Sequence, residues 1–169
     1  MTHSNLRHLA LGLLILILAT LQGCGFHLRG TADLPPSISP LYIEGLGRHD
    51  PLHEEFLMIL TSSNVKLAES KNQAATILRV HNPSFNRRVL SVDGAGKVVE
   101  YELYQGLNFT LLDVDGKELV SSQRVSTQRS YENTETEGLG KQEEEVQLRE
   151  DMAADLAGRI ASRLQAQLR

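Results

Sequence analysis

Residues 99–111 constrain the fold of this chain more than any other stretch. Val99, Tyr101, Leu103, Leu107, Phe109 and Leu111 share one parity, and Glu100, Glu102, Asn108 and Thr110 share the other. A period of two is the pattern of a half-buried strand, because successive side chains of an extended backbone leave on opposite faces. The run predicts a strand of about 14 residues. Gly106 lies on its polar side and marks an expected bulge.

The flanking segments supply its neighbours. Residues 76–81 read as a strand that Pro83 disturbs, since proline cannot donate to a ladder, and residues 85–92 resume it. Asp93-Gly94-Ala95-Gly96 then turns the chain, and Asp115-Gly116 turns it again into residues 119–131. That last run alternates poorly. Leu119, Val125 and Tyr131 share parity with Ser121, Gln123, Thr127 and Arg129, so its face is not dry throughout. Two readings stay open: an edge strand protected by polar side chains, or a strand facing a partner or polar ligand.

Two helices complete the pattern. Asp50-Pro51 is an N-cap followed by proline at the first helical position, and Leu52, Phe56, Ile59 and Leu60 recur at helical spacing until residues 61–64 stop it. Short strands are expected on either side, at residues 41–44, ended by Gly45 and Gly47, and at residues 65–68. After an acidic loop at residues 132–140, a second helix is expected from Glu143. In it Leu148, Met152, Leu156, Ile160, Leu164 and Leu168 recur every four residues beside Ala153, Ala157 and Ala161. Glu143, Glu144 and Glu145 sit at its positive end, and Arg159, Arg163 and Arg169 gather toward its negative end. The expected fold is an α/β sandwich, a mixed and mostly antiparallel sheet with both helices packed on one face. The spatial order of the strands is left open.

The amino terminus carries a different signal. Residues 9–20 are uncharged and, Gly12 and Thr20 aside, strongly apolar or small; His3, Arg7 and His8 precede them and Leu21-Gln22-Gly23-Cys24-Gly25 follows. A basic start, a short apolar run and small residues before a cut make a secretory signal. The run falls short of the about 20 residues that a spanning helix needs. Cys24 is the only cysteine, so it has no internal disulfide partner, and a free thiol is a liability in an oxidising compartment. Leu-Gln-Gly-Cys resembles the bacterial lipobox, in which the cysteine thiol receives a diacylglyceryl group, the chain is cut before it and the new amino terminus is acylated. Each buried methylene contributes about 0.8 kcal/mol, and two or more chains anchor firmly. An ordinary signal peptide with an incidental cysteine is the other reading. Gly25 does not resemble the Asp that retains lipoproteins in the inner membrane, so the outer membrane, facing the periplasm, is expected. The organisation is then a removed signal at residues 1–23, a lipidated terminus and tether at 24–39 and one domain at 40–169.

Removal of residues 1–23 leaves 146 residues with a net charge near −5. That balance argues against nucleic acid as a partner, which calls for a basic surplus. The absence of Trp and the 5% aromatic content weaken any case for a stacking site. Enzyme signatures are missing as well. Gly94-Ala95-Gly96 joins two strands and so is no dinucleotide cradle. His49 and His53 lack a third metal ligand, no Gly-x-Ser-x-Gly elbow occurs, and Glu54-Glu55 and the 143–145 run read as solvated charge. No enzyme activity, cofactor or metal is expected.

The basic residues are more informative. Arg79, Arg87, Arg88, Arg124 and Arg129 fall in strand or hairpin segments, and Lys97 and Lys141 beside turns. They either counter the many glutamates or face a phosphate-bearing ligand or an acidic partner, chemistry that suits arginine forks and mobile lysines.

Cys24-Gly25-Phe26-His27-Leu28-Arg29-Gly30 closely resembles the mature start of the LptE (RlpB) family of lipopolysaccharide-assembly lipoproteins. The resemblance continues through Val99-Glu100-Tyr101-Glu102-Leu103, Arg129-Ser130-Tyr131, residues 139–145 and the Leu/Ala-rich last helix. It implies a non-enzymatic partner of LptD, the large outer-membrane β-barrel. Such a partner plugs that barrel, assists its assembly and helps deliver lipopolysaccharide to the outer leaflet. It also implies two helices against a mostly antiparallel sheet. Lys141 matches the family's basic residue before the final helix. The family's hairpin arginine falls near Gly94 here, so the expected lipopolysaccharide contacts are Lys141 with Lys97, Arg87 and Arg88 nearby. An auxiliary lipoprotein of another envelope transport complex, and an anchored periplasmic hydrolase, are the competing classes.

Overall fold

The computed structural model describes residues 34–133 and 140–168, without the side chains of 140–142. One sheet of four strands runs in the order β1-β2-β3-β4. β1 (Leu41–Glu44) lies parallel to β2 (Thr76–Val92), while β2, β3 (Val98–Asp113) and β4 (Glu118–Glu132) form an antiparallel meander. Two helices, α1 (Pro51–Ser62) and α2 (Gly140–Gln167), pack together on one face. The expected mixed α/β architecture holds, and the strand order is now fixed.

Local chemistry explains the elements. The Asp50 carboxylate caps α1 by accepting from the Leu52 N–H at 2.9 Å, with Pro51 in the first turn. Leu52, Phe56 and Leu60 are buried. The apolar stripe of α2 is drier still, with Met152, Ala153, Leu156, Ala157, Ile160, Ala161 and Leu164 each at most 1% exposed. The alanines let the helix lie close to Leu78, Val80, Leu107, Phe109 and Leu111, which fill the main core from the sheet. Leu34 and Ile38 join that core from ahead of β1. Gly45, at φ 93°, ends β1 where the chain passes so near β2 that a Cβ would collide with the Val80 carbonyl oxygen.

The two hairpin turns share one construction. Asp93 Oδ1 accepts from the N–H groups of Ala95 and Lys97, each at 2.9 Å, and Asp113 Oδ1 accepts from those of Asp115 and Lys117 at 2.9 and 2.8 Å. Gly96 and Gly116 take φ near 82° and 84° three residues after each aspartate. The second turn therefore starts at Asp113, ahead of the Asp115-Gly116 pair that signals it.

Several expectations need correction. Residues 65–68 form no strand of their own. They touch β1 through a single parallel bridge, Leu41 to Leu67, with the Leu41 N–H donating to Lys66 O and the Ala68 N–H donating to Leu41 O. The bulge expected at Gly106 lies on the opposite strand. Between His81 and Ser84, β2 carries one more residue than β3, at Asn82 (φ 51°) and Pro83. A register shift between Gln123 and Val120 makes Val120 the buried residue, while Leu119 stays exposed. Helix α2 begins at Gly140, one turn ahead of Glu143. Residues 1–33, including Cys24, and residues 134–139 of the expected acidic loop lie outside the described residues.

Candidate functional site

Two surfaces concentrate polar chemistry. The first is the sheet face turned away from the helices. Register alignment places His81, Asn108 and Arg124 in one row across β2, β3 and β4, with Ser84, Gly106 and Ser126 in the next and Asn86, Tyr104 and Gln128 beyond. His81 Nε2 lies 3.2 Å from Ser122 Oγ, and Arg124 Nη2 donates to Tyr104 Oη at 3.0 Å. Gly106 makes room for that pair, since a Cβ there would sit 3.1 Å from Tyr104 Oη and 3.3 Å from Arg124 Nη2. The Arg124 hydrogen bond, followed by that of Ser126, lowers the Tyr104 hydroxyl pKa. Among the described residues, the buried polar atoms His81 Nδ1 and Asn108 Oδ1 have no hydrogen-bond partner. Nothing in this row forms a nucleophile–base pair within reach of a third orienting group.

The second surface is the far end of the β2–β3 hairpin, where the expected cations lie. The structure does not gather them into one site. Arg87 and Arg88 are neighbours on a strand and leave on opposite faces. Arg87 turns toward the helices, 3.1 Å from Glu145, and its guanidinium stands 4.9 Å over the Tyr101 ring. Arg88 turns away from them and meets Glu102 at 2.7 Å. Lys97 borders a groove of about 480 Å³ that Ser91, Asp93, Glu100, Glu132 and Asn133 also line. Its lining thus includes three carboxylates, Asp93, Glu100 and Glu132, beside the one lysine. Lys141 lies in the first turn of α2 rather than in a loop, and its side chain is outside the described residues. The other arginines are also engaged: Arg79 with Glu44, Arg129 with Asp155 and Arg124 with Tyr104. The reading in which the basic residues counter carboxylates thus accounts for Arg79, Arg87, Arg88 and Arg129.

Two acidic residues of α2 organise the polar contacts under the sheet. Glu145 accepts from Tyr131 Oη at 3.0 Å, from Arg87 at 3.1 Å and from Arg149 at 2.7 Å, and Arg149 in turn stands 4.0 Å over the Phe85 ring. Burial raises the Glu145 pKa, yet the Arg149 and Tyr131 hydrogen bonds outweigh it and hold the carboxyl below its usual range. Asp155 accepts from Arg159 at 2.8 and 3.0 Å and from Thr127 Oγ1 at 2.7 Å. The Arg159 bonds, against burial and with help from Thr127, bring it down to about 2. The i,i+4 spacing of Glu145–Arg149 and Asp155–Arg159 was legible in the sequence. Their cross-fold partners Tyr131, Thr127 and Arg129 were not.

The comparisons with known proteins bear on this architecture directly. The LptE family model, described as lipopolysaccharide-assembly, matches residues 39–164. That span covers the whole described sheet, all of α1, α2 as far as Leu164, and positions 97 and 141. The chain belongs to the LptE family. Its similarity extends to proteins named LPS-assembly lipoprotein LptE. The one from Photorhabdus laumondii subsp. laumondii is 31% identical over 156 residues, covering 92% of this chain and 83% of that protein. The one from Pectobacterium atrosepticum is 30% identical over 157 residues with the same coverages. Among solved structures, lipoprotein B of Nitrosomonas europaea superposes with a TM-score of 0.67 at 28% identity, covering 85% of this chain and 92% of that one. The rare lipoprotein B of Shewanella oneidensis gives 0.65 at 25% identity, covering 77% and 96%. The helix-backed sheet described above is thus the LptE-family fold. Among the described residues, no helix is long and apolar enough to cross a membrane.

Proposed function

We propose that this chain is a non-enzymatic lipoprotein of the outer membrane. In this reading residues 1–23 are removed, acyl chains on Cys24 anchor the protein, and residues 24–39 tether the domain. The domain plugs an LptD-like β-barrel, assists barrel assembly and helps bind lipopolysaccharide and insert it into the outer leaflet. Family membership and the names of the relatives support the role in lipopolysaccharide assembly. The observation that carries the plug is the polar sheet face running from His81 through Gly106 to Gln128. A barrel lumen is polar, and a wall of Ser, Asn, Gln, Tyr and Arg side chains can exchange hydrogen bonds with it where an apolar face could not.

The proposed ligand contacts remain Lys141, Lys97, Arg87 and Arg88. Arg87 and Arg88 already hold carboxylates, so a phosphate would have to displace Glu145 or Glu102 to use them. Lys141 matches the family's basic residue and Lys97 stands beside the hairpin turn, so the ligand test starts with those two. Co-expression with an LptD-like barrel tests the plug. Stable co-purification is expected, with photocrosslinks to the barrel from Ser126 and Gln128. A chain that purifies alone, or that crosslinks only from the outer surface of α2 at Gln147, overturns it. Titration with lipopolysaccharide tests the ligand: the Lys97→Glu, Lys141→Glu double variant is expected to bind about tenfold more weakly. Unchanged affinity removes both lysines from the site.

A further inference from the structure

β4 is the last strand of the sheet, so one of its edges has no strand beside it among the described residues. The register fixes which backbone groups point there. The Asn133 N–H donates to the Val99 carbonyl at 2.8 Å, and pairing continues without a shift from Glu132 opposite Glu100 to Gln123 opposite Phe109. In an antiparallel ladder, residues that exchange both hydrogen bonds alternate with residues that turn both groups outward. Odd-numbered residues of this stretch therefore face β3. Arg124, Ser126, Gln128, Ser130 and Glu132 turn their N–H and C=O groups to the free edge.

Guanidinium groups occupy two of those carbonyls. Arg163 reaches across from α2 and donates through Nη1 to Arg124 O at 2.9 Å. Arg129 folds back and donates through Nη1 to Gln128 O at 2.9 Å. Both cations are held in place from the helix side of the sheet. Arg163 lies 3.5 Å from Gln123 Oε1, and Arg129 meets Thr127 Oγ1 at 3.2 Å and Asp155 Oδ2 at 3.5 Å.

We propose that Arg129 and Arg163 close the edge of β4 against strand pairing with a second copy of this chain. A strand adds to an edge by filling its outward acceptors, and here two of those acceptors, Arg124 O and Gln128 O, are already filled by side chains. The edge is otherwise suited to itself. Antiparallel pairing about a two-fold axis through Ser126 sets Ser126 against Ser126 and Arg124 against Gln128 of the second copy. No like charges face each other, and the hydroxyl and amide side chains can bond across the pair. The two filled carbonyls belong to the residues that would exchange hydrogen bonds in that ladder, so each arginine blocks one rung.

The test uses the full chain purified in detergent, carrying Ser126→Cys. In the two-fold pairing the added cysteines are directly opposite, about 5.5 Å apart at Cα and within disulfide reach. The chain without the added cysteine gives the blank, since Cys24 is present in both. With both arginines intact, oxidation is expected to yield dimer at the level of the blank. Arg129→Ala with Arg163→Ala is expected to raise the disulfide dimer about tenfold, with a doubled mass by light scattering before oxidation. Arg163→Ala alone gives an intermediate rise. It removes an exposed side chain and leaves the Asp155 contacts in place, so it separates edge opening from loss of fold. Three outcomes overturn the proposal: no rise in either variant with an unchanged circular dichroism spectrum, a dimer already abundant with both arginines present, or large aggregates without a disulfide at position 126.

Discussion

The two ends of β2 are built to different specifications. At its first residues Ile77, Leu78 and Val80 are 2%, 0% and 3% exposed, and the latter two meet the stacked side chains of both helices. At its last residues Val89, Leu90 and Val92 are 51%, 45% and 54% exposed. The basal end is held by close-packed apolar volume. The distal end is held by a small cluster of Leu103, Tyr131 and Met152, edged by Phe85, Tyr101 and Leu148 and closed by the Glu145 hydrogen bonds. One strand thus passes from a region where shape complementarity sets stability to one where a few polar contacts do. The distal end also carries Lys97 and lies on the side toward which α2 starts. An end held by few buried contacts is expected to open locally at lower free energy than the close-packed base.

The sharpest test of the contrast is truncation in each region, at Phe109 of β3, which lies opposite Val80, and at Val89 of β2. Phe109→Ala removes a fully buried ring from the basal core and is expected to cost about 3–5 kcal/mol. Val89→Ala at the distal end is expected to fall within about 0.5 kcal/mol of the parent. Urea unfolding of both variants decides it. Comparable losses would mean that the hairpin is packed as firmly as the base.

Acid titration probes the junction of the two regions, where Asp155 ties α2 to β4. Its pKa in the folded chain, lowered from 3.8 to about 2 chiefly by Arg159, lies below its value in the unfolded chain. The stability it supplies is therefore complete above about pH 4 and is lost as pH falls toward 2. The full shift corresponds to about 2 kcal/mol, and partial exposure of the carboxylate reduces that to about 1–2. Glu55 on α1 acts in the opposite sense. Burial first, then Glu150 and Glu54, raise its pKa, so its ionised form costs stability that is recovered as pH falls through its folded value. Asp155→Asn is expected to flatten the acid limb between pH 4 and 2, measured as unfolding free energy against pH. A limb as steep as the parent's would assign acid sensitivity elsewhere.

The basal region was legible in the sequence because burial there follows periodicity. The parity of residues 107–111, the four-residue repeat of α2 and the Asp50 cap each encode their own structure. What escaped was chemistry that depends on register. The poor alternation of β4 resolves only when the shift near Val120 and the opposing Asp155 are known. Thr127 and Arg129 lie on the helix face yet are satisfied by a carboxylate 28 and 26 residues further along the chain. In the same way, Arg87 and Arg88 look like one basic patch in the sequence and are divided by the sheet into two faces. Charged residues on strands carry no signal of their partner, since pairing is set by strand order and a one-residue slip reverses it.

The finest test concerns what holds the distal end down. Glu145 accepts from Tyr131, Arg87 and Arg149, three donors from β4, β2 and its own helix. Glu145→Ala leaves the Tyr131 hydroxyl without that acceptor, while Arg87 and Arg149, each about half exposed, regain water. The global cost is accordingly small, about 1 kcal/mol. The local cost is different in kind. Without the carboxylate, the Tyr101 and Phe85 rings keep their neighbours, but the arginines that stack on them at 4.9 and 4.0 Å lose the acceptor they share. Amide hydrogen exchange is expected to accelerate several-fold at residues 85–101 and to stay unchanged at 76–80, because opening of the hairpin does not require opening of the base. Equal acceleration at both ends would show one cooperative unit, and the contrast between the two halves of β2 would then be one of exposure only.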